Sequence, residues 1–119
     1  MIRYRLTPQA EQDIEAILVW THEEFGEKVR RRYEALLTRA IMDVAENPER
    51  TGSRARPEIA VAARIYHLRH SRDRVKKSIG TIHHPRHILV YRVVEADLVD
   101  IVRVLHDGMD PKRHLPDEG

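Results

Sequence analysis

The sequence predicts an α+β fold, with an N-terminal strand, a two-helix antiparallel hairpin and then a 3–4-stranded antiparallel sheet. Three observations support this. Two apolar, β-branched runs near the C-terminal end are separated by a short polar step. Two earlier stretches have helical periodicity and only a brief break between them. A short alternating segment precedes both. Helices and strands that are grouped in this way are typical of the class.

The first elements are a strand and a helix. Residues 2–6 alternate as IRYRL, which predicts a short strand with Ile2 on its apolar face. Thr7 is a suitable N-cap, and Pro8 fits the first helical position, where its missing N–H costs nothing. We expect the helix to end near Glu24. Its apolar face consists of Ala10, Ile14, Ile17, Leu18 and Thr21.

A second helix is predicted from about residue 27 to residue 46. Its apolar positions repeat at intervals of three and four, and they are Val29, Tyr33, Leu36, Leu37, Ala40, Ile41 and Val44. Asn47-Pro48 ends it, because proline disfavours helical geometry in the preceding residue. The break at Phe25-Gly26 is so short that the two helices must pack antiparallel.

The second half of the chain contains the strands. Residues 49–57 (ERTGSRARP) read as turn and loop, and 63–70 (ARIYHLRH) as a strand. We expect 71–78 to be an exposed turn or irregular strand, and 78–83 another short strand. The polar tail 107–119 is expected at the surface.

The centre of the sheet is predicted to be a β-hairpin. Its strands are 87–94 and 98–105, rich in β-branched residues and nearly continuous in apolar character. Asp100 and Arg103 are three apart, which places them on opposite faces of a regular strand.

Length and composition narrow the class of protein. The 119 residues are expected to form one domain, 1–119, and the absence of cysteine excludes disulfides and thiolate metal sites. No segment has the pattern of a signal peptide or a membrane span, so we expect a cytoplasmic protein. No cofactor is expected, because the five glycines do not cluster. No metal is expected either, because His83, His84 and His87 lack the spacing of a metal site.

Positive charge is concentrated in one region. Residues 64–92 contain eight Lys/Arg and one acid, Asp73, and five of the eight histidines. Such an excess suits an anionic partner, either nucleic acid or an acidic protein. A solvated basic loop is the equally weighted alternative.

Acid–base chemistry could be built from His67, His106, Arg64 and Arg103, a composition suited to RNA cleavage. The alternative is structural: Arg103 pairs with an acid on the sheet and His106 caps the strand end. The residues alone favour the structural interpretation.

Several segments together resemble the ParE branch of the RelE/ParE toxin superfamily. In chain order they are RLTPQAEQDI, ENP, ARIYHLRHSR, PRHILVYRV and IVRVLHDGMDPKRHL. The resemblance runs from Tyr4 to Leu115. It implies the toxin of a type II toxin–antitoxin module, the same order of helices and strands, and growth inhibition linked to stress responses. Relative to the short form of the family, 71–84 is longer.

The resemblance also implies partners. It implies a ParD-like antitoxin whose C-terminal segment wraps the toxin, and DNA gyrase as a target that is stalled on cleaved DNA. RelE-type relatives instead cut messenger RNA on the ribosome with groups from the sheet. Positions here that correspond to such a set are Arg64, Arg92, Arg103 and His106.

We favour a non-catalytic poison, because Asp107 and Asp110 stand where a phosphate site would prefer bases. The alternatives are a ribosome-dependent mRNA endonuclease and a binding module that has lost toxicity. We expect contact with nucleic acid only indirectly or through the basic region 64–92.

An antitoxin that binds as an extended peptide needs an apolar groove and basic residues for its acidic tail. Trp20 and Phe25 are the candidates for that groove. The alternative, that they close the core between the helices, applies more to Phe25 than to Trp20. We expect further antitoxin contacts at Arg64, Tyr66 and Arg69.

Overall fold

The computed structural model describes residues 3–115 and has the predicted α+β architecture. One strand precedes two α-helices, and four further strands follow them to complete a five-stranded sheet. A 3₁₀ helix lies between the third and fourth strands, and a 3₁₀ turn follows the last strand. In chain order the elements are β1 (Arg3–Leu6), α1 (Pro8–Phe25), α2 (Glu27–Glu46), β2 (Arg54–Ala55), β3 (Arg64–His67), a 3₁₀ helix (Leu68–Arg74), β4 (His87–Glu95), β5 (Leu98–His106) and a 3₁₀ turn (Pro111–Arg113).

The sheet has the order β1-β5-β4-β3-β2. Its last four strands are antiparallel to their neighbours, as predicted, whereas β1 pairs parallel with β5. Ile2, which the pattern also assigned to the first strand, lies outside the described residues. The β4–β5 hairpin is at the centre of the sheet, as expected.

The helix boundaries follow from local chemistry. Thr7 caps α1, and its hydroxyl accepts the N–H of Ala10. Gly26 separates the helices with φ = 88°, a conformation that residues with a Cβ rarely adopt. The second helix ends at Glu46, before Asn47-Pro48. The helix hairpin is therefore confirmed to within one residue.

The main core lies between the helices and one face of the sheet. The helical stripe of α2 packs there against inward side chains of β3, β4 and β5, among them Tyr66, Leu89, Tyr91, Val99 and Ile101. A smaller cluster of Ile88, Val90 and Leu105 covers the opposite face, with Ile65 and Leu115 against it. Both faces are therefore covered, which explains the nearly continuous apolar runs.

A β-bulge corrects the predicted position of Arg103. The partner of Val90 is Arg103, but the partner of Tyr91 is Ile101, so one residue of β5 is extra at this point. Asp100 faces Arg92, two residues from Val90. Asp100 and Arg103 therefore share the face away from the helices, and their expected placement on opposite faces is wrong.

Other boundaries also differ from the prediction. The strand expected at 63–70 is only Arg64–His67, because the chain turns into the 3₁₀ helix at Leu68. The strand expected at 78–83 is absent from the structure, which has a turn there with Gly80 at φ = 109°. Loop 49–57 contributes the two-residue edge strand β2. In the tail, Pro111 is buried rather than exposed, and 116–119 lie outside the described residues.

Within the described residues, neither α1 nor α2 is apolar enough over its length to cross a membrane.

Candidate functional site

Trp20 and Phe25 form an exposed aromatic pair at the end of α1. Their rings meet edge to face, with centroids 5.6 Å apart and an interplanar angle of 79°. Trp20 is 53% exposed and Phe25 60% exposed, so neither side chain closes the core between the helices. Large exposed aromatic rings that touch one another are common at binding surfaces.

The pair borders a cleft of about 280 Å³, which we call the aromatic cleft. It is lined by Trp20, Thr21, Phe25, Val29, Tyr33, Ile82, His84, Arg86, His87 and His106. Apolar groups come from both helices, and the polar groups come from the chain that enters β4 and leaves β5. The cleft therefore has an apolar side formed mainly by the helices and a polar side that carries one arginine and three histidines.

A buried tyrosine–histidine pair forms one wall of the cleft. The Tyr33 hydroxyl lies 2.6 Å from Nδ1 of His87 and accepts the backbone N–H of Arg86. Burial, followed by the charge of His106, lowers the pKa of His87 to about 4, and burial raises the pKa of Tyr33 to about 12. Both groups are therefore neutral at pH 7. Since the phenol oxygen already accepts the Arg86 N–H, we assign the phenol proton to the hydrogen bond with Nδ1, which places the imidazole proton on Nε2.

Asp107 binds two side chains beside this wall, Arg86 and His67. It pairs with Arg86 through both carboxylate oxygens and lies 3.0 Å from Nε2 of His67. These hydrogen bonds, Arg86 first, lower the pKa of Asp107 to about 2. His106 packs edge to face on His87 at 5.6 Å, and its Nδ1 accepts the N–H of Gly108. The histidine at the strand end therefore orders the following turn.

The four catalytic candidates lie in different places. Arg64 faces the helix side of the sheet, where its Nε donates to the Ser53 hydroxyl. Arg92 lies on the opposite face, 4.0 Å from Asp100. Arg103 shares that face, and His106 is at the aromatic cleft. The structure does not bring these four side chains together.

Arg103 and Asp13 together cover an open edge of the sheet. Beyond Ile101, no strand in the described part of the chain pairs with β5 on the β1 side, and Asp13 of α1 covers the gap. Its carboxylate accepts the N–H of Val104 at 3.0 Å and pairs with Arg103 at 2.7 Å. Arg103 therefore pairs with an acid, as the structural interpretation expected, but the acid is on a helix.

Two of the expected antitoxin contacts differ sharply in exposure. Tyr66 is fully buried, and its ring is part of the main core. Arg69 is exposed on the 3₁₀ helix. Only Trp20 and Phe25, of the five expected contact residues, line the aromatic cleft.

A buried carboxylate that sequence reasoning missed lies behind Tyr66. The Asp43 side chain has no solvent exposure and lies 3.0 Å from each of three guanidinium groups. These belong to Arg39, Arg50 and Arg74. Ser71 donates to Asp43 at 2.6 Å, so its oxygen accepts the Tyr66 hydroxyl proton at 2.7 Å. This network fixes the 3₁₀ helix to α2.

The basic region 64–92 is dispersed in the fold. Five of its eight bases bond or pair with other groups: Arg64 with Ser53, Arg72 with the His83 carbonyl, Arg74 with Asp43, Arg86 with Asp107 and Arg92 with Asp100. The excess in the sequence is thus not one continuous patch. Among residues 3–115, no group of three or more potential ligands could hold a metal ion.

Comparison with known proteins agrees with this fold. The family model described as "ParE toxin of type II toxin-antitoxin system, parDE" matches residues 4–111, and the chain belongs to this family. Toxin ParE1 of Mycobacterium tuberculosis, from strains CDC 1551 / Oshkosh and ATCC 25618 / H37Rv, is 36% identical over 113 residues, which cover 95% of this chain and 97% of that protein. A solved structure, "Chromosomal ParDE TA system from P. aeruginosa", has the same fold with a TM-score of 0.61 and 13% identity, and the match covers 89% of this chain and 96% of that one.

Proposed function

We propose that this ParE-family toxin is neutralised by a ParD-like antitoxin and stops replication by poisoning DNA gyrase, without cutting nucleic acid itself. Family membership supports the gyrase target. The separation of Arg64, Arg92, Arg103 and His106 supports the absence of nuclease chemistry, because general acid–base catalysis needs its groups within hydrogen-bond reach of one substrate. Such a target requires the toxin to act in the cytoplasm.

The order in which synthesis stops tests this function. Labelled thymidine and labelled methionine incorporation are followed minute by minute after the toxin is induced in a bacterial host. We expect DNA synthesis to fall first, because gyrase inhibition blocks replication before it affects translation. An earlier fall in protein synthesis would favour messenger-RNA cleavage, and no fall with folded protein present would leave only antitoxin binding.

The observation that supports the antitoxin proposal is the exposed Trp20–Phe25 pair on the aromatic cleft. We assign this cleft to an apolar side chain of the antitoxin's C-terminal segment. Arg86 and His84 at the same cleft suit neighbouring carboxylates of an acidic tail. Aromatic rings exposed in the free protein become strong contributors to affinity when a partner excludes water from them.

Trp20→Ala is expected to weaken antitoxin binding by about 30-fold, roughly 2 kcal/mol, because a large exposed ring loses its contact with the partner. Its effect on the melting temperature should be small, since half of the ring is already in water. Calorimetric titration measures the affinity, with the C-terminal segment of the ParD-like antitoxin as the peptide.

Val19→Ala is the matched control. Val19 is 52% exposed on the same helix but does not line the aromatic cleft. We expect this variant to keep the affinity. A lower melting temperature with unchanged affinity in Trp20→Ala would contradict the assignment of the cleft.

A further inference from the structure

A second cleft opens at the same end of the sheet but on the face away from the helices, and Arg86 borders both clefts. It has a volume of about 490 Å³ and lies between the β2–β3 edge and the turn after β5. We call it the basic cleft, since its lining includes Arg54, Arg56, Arg69, Arg86, His67 and His70. Arg54 and Arg56 lie outside the basic region 64–92, so the cleft is visible only in the fold.

Asp107 lines this cleft and Glu58 lies beside it, and together they leave two of its four arginines without an acidic partner in the described part of the chain. Asp107 pairs with Arg86 and His67, and Glu58 pairs with Arg56. Arg54 and Arg69 are exposed, and neither forms an ion pair with any of the residues between 3 and 115. Arg54 is opposite Ile65 in the β2–β3 ladder, which directs it to the same face as the cleft.

The positive charges around the basic cleft also act on His70. Burial lowers the pKa of His70, and the positive charges of Arg69, His67, Arg50 and Arg54 lower it further. The His70 ring is fixed against Gly52, where an added Cβ would lie only 2.6 Å from the ring. Cations from the β2 strand, β3 and the 3₁₀ helix therefore act on one position.

We propose that the basic cleft binds the phosphate backbone of DNA. Guanidinium groups match phosphate oxygens with two parallel hydrogen bonds, and Arg54 and Arg69 have theirs available. The apolar part of the lining, which includes Ile65, Ile88 and Met109, can contact the sugar between phosphates. Phosphate contacts of this kind position a protein on DNA without reading its sequence.

The geometry favours nucleic acid over an acidic peptide. An extended peptide gains affinity mainly by adding a strand to an open edge. The edge here is β2, and it has only two residues in the ladder, Arg54 and Ala55. A peptide would gain few backbone hydrogen bonds, whereas phosphates need only the arginine side chains.

The contact would let the toxin touch the DNA that gyrase holds, and in that biological role the inference rests on the proposed function. DNA binding itself is measured on the toxin alone, with no gyrase present. A negative result in the incorporation experiment and a negative result here are therefore distinguishable.

The test is fluorescence anisotropy of a labelled 20-base-pair duplex with the purified full chain at 50 and 200 mM salt. The test variant is Arg54→Ala, Arg69→Ala. Each lost phosphate contact lowers the slope of log affinity against log salt by about 0.9. We therefore expect the ratio of the two affinities to fall about tenfold in this variant.

The control is Arg31→Ala, Lys76→Ala, which removes the same charge from exposed positions that line a different cleft, between α2 and the segment after the 3₁₀ helix. It should keep the wild-type salt dependence, and thermal melts show that both variants fold. Equal losses in the two variants, or no binding by the wild type at 50 mM salt, would overturn the proposal. So would a polyglutamate peptide that binds through the same arginines as tightly as DNA, because it would identify an acidic-protein site.

Discussion

Asp43→Asn is expected to lower the free energy of unfolding by about 3–5 kcal/mol. The carboxylate is fully buried and balances the charges of Arg39, Arg50 and Arg74. The substitution leaves three partly exposed guanidinium groups without their shared counter-charge and a buried amide between them, which costs more than the loss of a surface pair. Asparagine keeps the size of the side chain, so the effect reports charge and hydrogen bonding rather than a cavity.

Chemical denaturation measures the change, with Asp73→Asn as the matched control. Asp73 is an exposed acid on the 3₁₀ helix that the Asp43 network holds. The same substitution there should change stability by less than about 0.5 kcal/mol. A loss below 1 kcal/mol in Asp43→Asn would show that the three guanidinium groups are stable without their shared carboxylate, and our interpretation of the network would be wrong.

Acidification is expected to remove about 3 kcal/mol of stability between pH 6.5 and pH 4, chiefly through His87. Its pKa is about 4 in the folded protein because the imidazole is buried, against an ordinary value of 6.5. As the pH falls through this window, the unfolded chain takes up a proton that the folded protein does not bind. Stability therefore decreases as the pH is lowered, by about 1.4 kcal/mol for each unit by which burial has lowered the pKa of His87.

Thermal melting of the wild type and of His87→Gln, at pH values from 7.5 to 4, tests whether His87 causes the loss of stability. Glutamine can still accept the Tyr33 hydroxyl proton but does not titrate, so most of the pH dependence should disappear. His83→Gln, at an exposed position, controls for the loss of an imidazole. Asp107 contributes only below about pH 4, since its pKa is lowered from 3.8 to about 2, and its window is separate. An unchanged pH profile in His87→Gln would assign the loss to other groups.

The elements that the sequence predicted well depend on local patterns. Helix α2 has the expected bounds, because its apolar stripe and the Asn47-Pro48 stop lie within one stretch of chain. The β4–β5 hairpin was found for the same reason. Trp20 was named as a groove candidate rather than a core residue, and its side chain is 53% exposed.

The features that the sequence did not predict depend on partners far along the chain. The extra residue in β5 appears only when its pairing with β4 is known, and it reverses the face of Arg103. The strand predicted at 78–83 became a turn whose Gly80 lies against Arg32 of α2. Charged stretches such as 68–74 have no periodicity that distinguishes a 3₁₀ helix from a loop.

One signal in the sequence could have revealed the buried network. Asp43 falls on the apolar stripe of α2, three residues after Ala40 and seven after Leu36. A carboxylate at such a position is buried only if cations accompany it. Arg39 lies one turn earlier on α2, but Arg50 and Arg74 come from separate segments, so their part in the network required the structure.

The parallel pairing of β1 with β5 has a consequence for how the toxin is made. Arg5 and Asp100 bond across a separation of 95 residues, so β1, once synthesised, waits for β5 before it can pair. At about 5–20 residues per second, the wait is roughly 5–20 seconds. Until then, the helices have no central hairpin to pack against. Each newly synthesised copy therefore acquires its binding surfaces together, once β5 has been made.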